Sequence, residues 1–228
     1  MKKKMTLGFL VVIVAVIAVF FGITQKMYPV ATVNDVFIPA RQFQWATTAA
    51  QTYYEKISAA YGDADTVADP TFISEMRRAA LQALIEDMLI SQRLVSLYQQ
   101  EALDIAVSER VAAALASSTE MTATAVYELF GLSIEEFSEV VLAPRARFEL
   151  LEAELAKAGE MVDAWLISER SRAQVSVALN DLAWINGHVE LTGEQSYTAK
   201  VKEALRQVAS TTAGLVASST VSSSSVEQ

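Results

Sequence analysis

Apolar residues recur every three or four positions through most of this chain, which predicts a mainly α-helical body. The first helix is predicted to place Pro39 in its first turn and to run to about Tyr61. After a loop, Asp69-Pro70 has the pattern of a helix start, and an uninterrupted helical pattern continues to Leu103. We interpret this stretch as one long helix, or two with a bend. Because its apolar residues cover a wide arc, we expect it at the centre of the core.

Shorter helices are predicted for most of the remaining body from their end-of-helix residues. The expected markers are Ser108 as a cap, Gly131 and Gly159 as helix ends, Ser133 with Glu136 as a capping box, and Pro144 as a kink or a separation between two helices.

One or two short extended segments interrupt the helical pattern. The β-branched residues around Asn34-Asp35 predict short extended pieces joined by a turn, because Asn and Asp tolerate a positive φ. Val175, Val177 and Leu179 alternate with small or polar residues, which is typical of a strand. Residues 194–209 return to a helical pattern, and the Ser/Thr-rich residues 210–228 are expected to form a disordered tail.

A continuous apolar run follows Lys2, Lys3 and Lys4. No charged residue occurs in residues 5–25, so residues 5–27 are predicted to cross a membrane with the lysines on the cytoplasmic side. The alternatives are a cleaved signal peptide and a retained anchor. Residues 22–29 contain no Ala-x-Ala pattern, which favours the anchor.

Composition excludes several classes of function. The 228 residues have a net charge of −9, and the body without the three N-terminal lysines has 15 basic and 27 acidic residues, a net of −12. Such a body repels phosphate backbones, so we expect no nucleic-acid partner. Cysteine is absent from the sequence, which removes thiolate metal sites, disulfides and thiol catalysis. We expect neither a metal nor an organic cofactor.

No pattern of catalytic residues is recognisable, so we expect a protein that is not an enzyme. His188 is the only histidine, and neither an acid nor a serine lies at a catalytic spacing from it. We interpret it as an exposed loop residue. The acidic pairs on predicted helices are explained by solvated helix faces.

Aromatic residues are the class that could carry function, since there are more of them than one narrow core seam requires. Most are expected in the core, and some in an apolar groove for an extended peptide or a partner helix. The candidates for peptide binding are Trp45, Tyr53, Tyr54, Tyr61, Tyr98, Tyr127 and Phe130.

The order of these elements resembles the SurA-like N-terminal domain of extracytoplasmic chaperones and foldases of the SurA, PrsA and PpiD kind. Residues 33–43, with Val33-Asn34-Asp35, Ile38 and Phe43, resemble its "VNG…I…F" opening. Residues 81–111 resemble its central helix and the following "GI.VSD" turn, and the whole likeness covers about residues 30–158. The pattern residues in the central helix are Leu81, Leu84, Ile85, Leu89 and Ile90, followed by Asp104-Ile105 and Val107-Ser108-Glu109. Asp35 stands where the family usually has Gly. The chain after Gly159 is too short for the parvulin isomerase domain of many relatives.

This resemblance implies a non-catalytic, chaperone-like protein that binds unfolded or partly folded polypeptides on the extracytoplasmic side of a membrane. The alternative is a scaffold module that docks one specific envelope partner. The expected division is a basic cytoplasmic end (1–4), a transmembrane anchor (5–27), a SurA N-terminal-like helical domain (30–174), an extended segment with a C-terminal helix packing on that domain (175–209), and the tail (210–228). The sequence predicts no oligomeric state.

Overall fold

A computed structural model of the chain describes residues 28–61, 67, 69–117 and 121–192. The predicted anchor, the helix predicted within residues 194–209 and the predicted tail lie outside these residues. Within the described part, no helix is both long enough and apolar enough to cross a membrane.

The described residues are mainly helical, as predicted, with five short strands. Their order is β1 (Pro29–Val33), β2 (Val36–Pro39), α1 (Ala40–Tyr61), α2 (Pro70–Leu97), α3 (Gln100–Ser117), α4 (Ala123–Phe130), α5 (Ile134–Phe137), a π-helical turn (Ser138–Leu142), α6 (Ala143–Lys157), α7 (Val162–Arg172), β3 (Val175–Val177), β4 (Leu182–Ile185) and β5 (His188–Leu191).

Asn34 connects the N-terminal hairpin to two other parts of the domain. Asn34 and Asp35 form the predicted turn between β1 and β2, with φ angles of 48° and 69°. The Asn34 backbone N–H donates to the Gln174 carbonyl at 2.9 Å, and its side-chain Oδ1 accepts from the Gln174 N–H at 3.0 Å. Its Nδ2 donates to Gln92 at 2.8 Å. One residue therefore joins the hairpin to α2 and to the segment before β3, which adds the third strand in the order β2-β1-β3.

Helix α2 is the central helix, as its apolar arc predicts. Its residues Leu81 and Ile85 are fully buried in a cluster with the sheet and α1, while Ile90 and Leu94 belong to a second cluster with α3, α6 and α7. Because one helix contributes to both clusters, it joins the sheet end of the body to the opposite end.

The long helical pattern divides earlier than Leu103. Tyr98 leaves the helix with an extended backbone, φ −112° and ψ 152°, while its N–H still donates to the Leu94 carbonyl. Its ring packs on the second cluster and its hydroxyl donates to Glu154 on α6. Since α3 begins at Gln100, the prediction that Ser108 caps a helix is wrong. Ser108 lies inside α3 and its hydroxyl bonds to the Ile105 carbonyl one turn back.

Most other helix ends are where the sequence predicts them. Asp69 caps α2 by accepting from the Thr71 N–H at 2.7 Å, and Ser133 and Glu136 form the predicted capping box. Gly131 and Gly159 have φ angles of 68° and 74° where α4 and α6 end.

Around Pro144 the regular α-helix is interrupted, but no gap separates two helices, because residues 134–157 are helical throughout. Pro144 lies in the first turn of α6, and the preceding residues form a π turn in which the Ala143 N–H reaches the Ser138 carbonyl. A proline ring would clash with the carbonyl four residues earlier, and proline offers no N–H to it. Widening the turn relieves both problems.

The strands exceed the one or two segments predicted. β4 and β5 form a hairpin through Asn186 and Gly187, whose φ angles of 51° and 84° suit a tight turn. The prediction missed this Asn-Gly pair because the strands on either side are only four residues long. The prediction that Pro39 lies in the first turn of a helix is also wrong, because Pro39 is the last residue of β2, directly before α1.

Candidate functional site

An open groove lies between α1 and α2 and has a volume of about 570 Å³. α4, the π turn and the start of α6 close one side of it. We call it the α1–α2 groove; it is lined by alanines, aromatic and aliphatic residues and three charged residues, namely Ala46, Ala49, Ala50, Ala79, Ala80, Ala83, Tyr53, Tyr54, Phe72, Phe130, Met76, Leu84, Val140, Val141, Pro144, Glu75, Arg78 and Asp87.

Alanines create the space in this groove. Ala46 and Ala50 are one turn apart on α1, and Ala79 and Ala83 are one turn apart on α2. The methyl side chains at these positions are too short to fill the space between the two helices. Longer side chains at the same positions would close the groove. Ala79 and Ala83 are also exposed, so the groove is accessible from solvent.

Four aromatic rings form a row along the groove. Phe72 contacts Tyr54 edge-on with centroids 5.4 Å apart, and Tyr54 contacts Tyr53 at 5.8 Å. Tyr53 in turn stacks on Phe130 at 5.6 Å with only 4° between the ring planes. Phe130 continues into the core through Phe137 at 4.7 Å. These contacts restrain the rings and keep apolar surface at the mouth of the groove.

The charges around the groove are already paired. Arg78 binds Glu75 at 2.6 Å, and Asp87 binds Arg147 through two hydrogen bonds of 2.8 and 2.7 Å. Because each of these charges has a partner, the groove offers an occupant mainly apolar contact.

The structure brings together three of the seven predicted aromatic residues. Tyr53, Tyr54 and Phe130 line the groove. The other four lie elsewhere. Trp45 packs against a third apolar cluster, formed by Ala49, Val126, Leu132, Phe137 and Leu142, with Arg41 4.7 Å above its ring. Tyr61 is exposed at the end of α1, Tyr127 is exposed on α4, and Tyr98 packs at the break after α2.

Tyr98 lies outside the groove, in a hydrogen-bond network with two charged residues of α6. Its hydroxyl donates to Glu154, and this bond raises the pKa of Tyr98. Hydrogen bonds from Lys157 and from Tyr98 lower the pKa of Glu154. The three side chains connect the break after α2 to the end of α6.

The groove includes residues that the sequence did not nominate. Phe72, which follows the Asp69-Pro70 helix start, is not among the seven candidate aromatic residues, and the alanines carry no reactive or polar group. Their four-residue spacing on both helices is the pattern that could have identified the groove. A second depression of about 480 Å³ lies between α3 and the π turn, with Leu103, Val107 and Arg147 in its wall.

No catalytic centre is evident in the described residues. His188 is exposed, as predicted, but it is the first residue of β5 and does not lie in a loop. Across residues 28–61, 67, 69–117 and 121–192 no three His, Asp or Glu side chains are grouped to hold a metal ion.

Comparison with known families now adds to this geometry. The family profile described as SurA-like N-terminal domain matches residues 1–121, just over half of the 228 residues. The chain belongs to this family. The SurA-like N-terminal domain is a non-catalytic, chaperone-type helical module, and the resemblance predicted from residues 33–43 and 81–111 is thereby confirmed. Searches of curated proteins and of solved structures give no match.

Proposed function

We propose that this protein is a non-catalytic chaperone that binds apolar segments of unfolded or partly folded polypeptides in the α1–α2 groove. The observation that carries the proposal is the groove itself, with its row of restrained aromatic rings and its paired charges. Family membership supports a folding-related role for the module.

The groove suits transient binding of many sequences. Its volume of about 570 Å³ accommodates a few side chains at a time. Burial of apolar client surface contributes roughly 25 cal/mol per Å², against the cost of ordering a flexible chain, so a small contact gives modest affinity. A client that folds buries its own apolar residues and leaves. Release therefore needs no nucleotide.

The charge of the body influences which clients approach. A net charge of −12 for the sequence outside the three N-terminal lysines favours basic or neutral segments and disfavours acidic ones. With a Debye length of about 8 Å at physiological salt, this steering is a modest effect.

The proposed location is the extracytoplasmic face of a membrane. Residues 5–27 supply an uncharged span through residue 25, and Lys2 to Lys4 favour a cytoplasmic N-terminus. Anchoring would keep the groove where exported chains emerge unfolded.

An aggregation assay with matched aromatic variants tests the proposal. The full chain in lipid nanodiscs is added to several unrelated, chemically unfolded proteins as they are diluted from denaturant. We expect suppression of light scattering near stoichiometric amounts. Tyr54→Ala should weaken suppression because Tyr54 is in the groove. Tyr127→Ala should not, because Tyr127 is an exposed tyrosine on α4 outside the groove.

A second pair of variants tests the groove by adding charge. Ala79→Glu with Ala83→Glu places two carboxylates in the groove at exposed positions, so the fold should persist while client binding falls. Ala113→Glu with Ala116→Glu makes the same change at exposed alanines of α3. A folded wild-type protein that suppresses no client would refute the chaperone proposal and favour a scaffold with one specific partner. Equal loss in both double variants would refute the groove as the site.

A further inference from the structure

The three-stranded sheet has an outer face that the core does not use. Thr32 pairs with Phe37 on one side and with Ser176 on the other, so these three side chains share one face. Their neighbours Ala31 and Ile38 are buried in the core on the opposite face. Phe37 is 65% exposed, so much of an apolar ring that cannot form hydrogen bonds is in contact with water.

This face differs in charge from the rest of the body. The segments that form β1, β2 and β3, PVATV, VFIP and VSV, contain no charged residue. The turn between β1 and β2 contributes Asp35 alone. The sequence outside the three N-terminal lysines carries a net charge of −12. A face of three strands without a charged side chain therefore differs from the acidic composition of the rest of the body.

The sheet also begins where the predicted membrane span ends. Tyr28 is 52% exposed and directly follows residue 27, and its carbonyl accepts from the Ala40 N–H at 2.9 Å. Thr32, the partner of Phe37, is four residues further along the chain, within β1. At about 3.3 Å per residue this is roughly 13 Å, more than the ~5–7 Å of one headgroup layer, so the outer face reaches the headgroups when β1 lies along the membrane surface.

We propose that the outer face of this sheet lies on the lipid surface, with Tyr28 and Phe37 in the headgroup region. The inference rests on the membrane anchoring proposed above. Tyr28 suits this region because its ring is apolar and its hydroxyl is polar, and Phe37 contributes apolar surface that leaves water on contact with lipid. A charge-free face avoids both desolvation of charges and repulsion from anionic lipid. The contact fixes the orientation of the α1–α2 groove relative to the membrane.

Fluorescent labelling of single cysteines tests this contact, since the natural sequence has no cysteine to compete. The full chain is placed in vesicles of phosphatidylcholine and phosphatidylglycerol that carry nitroxide lipids. The probe at Ser176→Cys reports the outer face and leaves Tyr28 and Phe37 intact. Ala15→Cys reports the predicted span. Thr124→Cys on α4 is the exposed control, because α4 packs near Tyr53, about 20 Å along α1 from the sheet.

The expected result is loss of fluorescence at Ala15→Cys with nitroxides in the acyl chains, loss at Ser176→Cys with nitroxides at the headgroup, and little loss at Thr124→Cys. Adding Phe37→Ser to Ser176→Cys should reduce the headgroup quenching, with folding checked by circular dichroism. Quenching at Ala15→Cys without quenching at Ser176→Cys would overturn the sheet contact and leave the anchor intact.

Three other outcomes also count against the contact. Equal quenching of Ser176→Cys and Thr124→Cys means non-specific adsorption. A probe at Ser176→Cys that is shielded without nitroxide quenching, in a way that depends on protein density, means that a second copy covers the face. An unquenched probe at Ala15→Cys refutes the anchoring itself, and the sheet contact fails with it.

Discussion

The Asp87–Arg147 ion pair should stabilise this fold far more than an ordinary surface pair. Arg147 on α6 donates two hydrogen bonds to Asp87 on α2, at 2.8 and 2.7 Å. The two side chains are only 20% and 17% exposed. The perturbation is a double-mutant cycle of Asp87→Ala, Arg147→Met and both together.

The magnitude follows from geometry and burial. Exposed pairs contribute roughly 0–1 kcal/mol, whereas removal of one partner from a fully buried pair costs about 3–5 kcal/mol. A bidentate pair with side chains only 20% and 17% exposed should couple more strongly than an exposed pair. Its coupling should stay below the cost of removing one partner, because that cost also includes leaving the other charge buried and unpaired. We therefore expect a coupling free energy of about 2 kcal/mol.

A second ion pair on the same helix supplies the control. Arg145 binds Glu149 at 2.9 Å one turn away, with side chains 77% and 46% exposed. Its cycle should give a coupling of about 0.5 kcal/mol or less. Both cycles use urea unfolding followed by circular dichroism, with the free energy extrapolated to water. A coupling for Asp87–Arg147 no larger than that for Arg145–Glu149 would show that burial and bidentate geometry do not set the strength of these pairs.

Three further variants test local features. Asp35→Gly should raise the free energy of unfolding by about 0.5 kcal/mol. The left-handed backbone at φ 69° costs Asp roughly 1 kcal/mol, and the greater flexibility of Gly in the unfolded chain offsets part of that gain. A lower urea midpoint would contradict this. Gly131→Ala should cost about 2 kcal/mol, since φ is 68° and the added Cβ would lie 2.8 Å from the Thr52 hydroxyl oxygen, and an unchanged midpoint in the same urea assay would argue against it. In Tyr98→Phe the pKa of Glu154 should rise from its depressed value, because one of its two donors is lost, as an NMR titration of the carboxyl carbon would show. The stability that this carboxylate contributes is present above the ordinary glutamate pKa and is lost as pH falls through the depressed pKa, so the variant should lose less stability in acid; identical acid profiles would count against this assignment.

The local features of the fold could be predicted from the sequence. Asp69 before Pro70, Ser133 with Glu136, and the glycines at 131 and 159 each act on backbone groups within four residues of themselves. Their effect is therefore largely independent of the rest of the chain, and the structure confirms them. The apolar arc of residues 81–94 predicts a central helix for a similar reason, since a helix that is apolar over so wide an arc has to be covered on several sides.

Ser108 and Tyr98 show where local reasoning fails. A serine hydroxyl can cap a helix or hydrogen-bond to a carbonyl of the preceding turn, and the two hydrogen bonds are local and similar in free energy. The break after α2 is instead fixed by the hydrogen bond from the Tyr98 hydroxyl to Glu154 on α6, more than fifty residues away, and by packing of the Tyr98 ring on the second cluster. No pattern around residue 98 contains that partner.

The candidate site was predictable only in part, and for the same physical reason. Sequence alone determined a mainly helical, acidic, cysteine-free body with surplus aromatic residues and an uncharged N-terminal run, because composition and short-range periodicity fix these properties. The tertiary structure decided that Tyr53, Tyr54 and Phe130 share a groove with Phe72 while Trp45, Tyr61, Tyr98 and Tyr127 do not. It also placed β3 beside β1, about 140 residues apart in the chain, through Asn34 and Gln174. Such juxtapositions depend on how whole helices and strands pack, and the energy that selects them comes from burial shared by many distant residues.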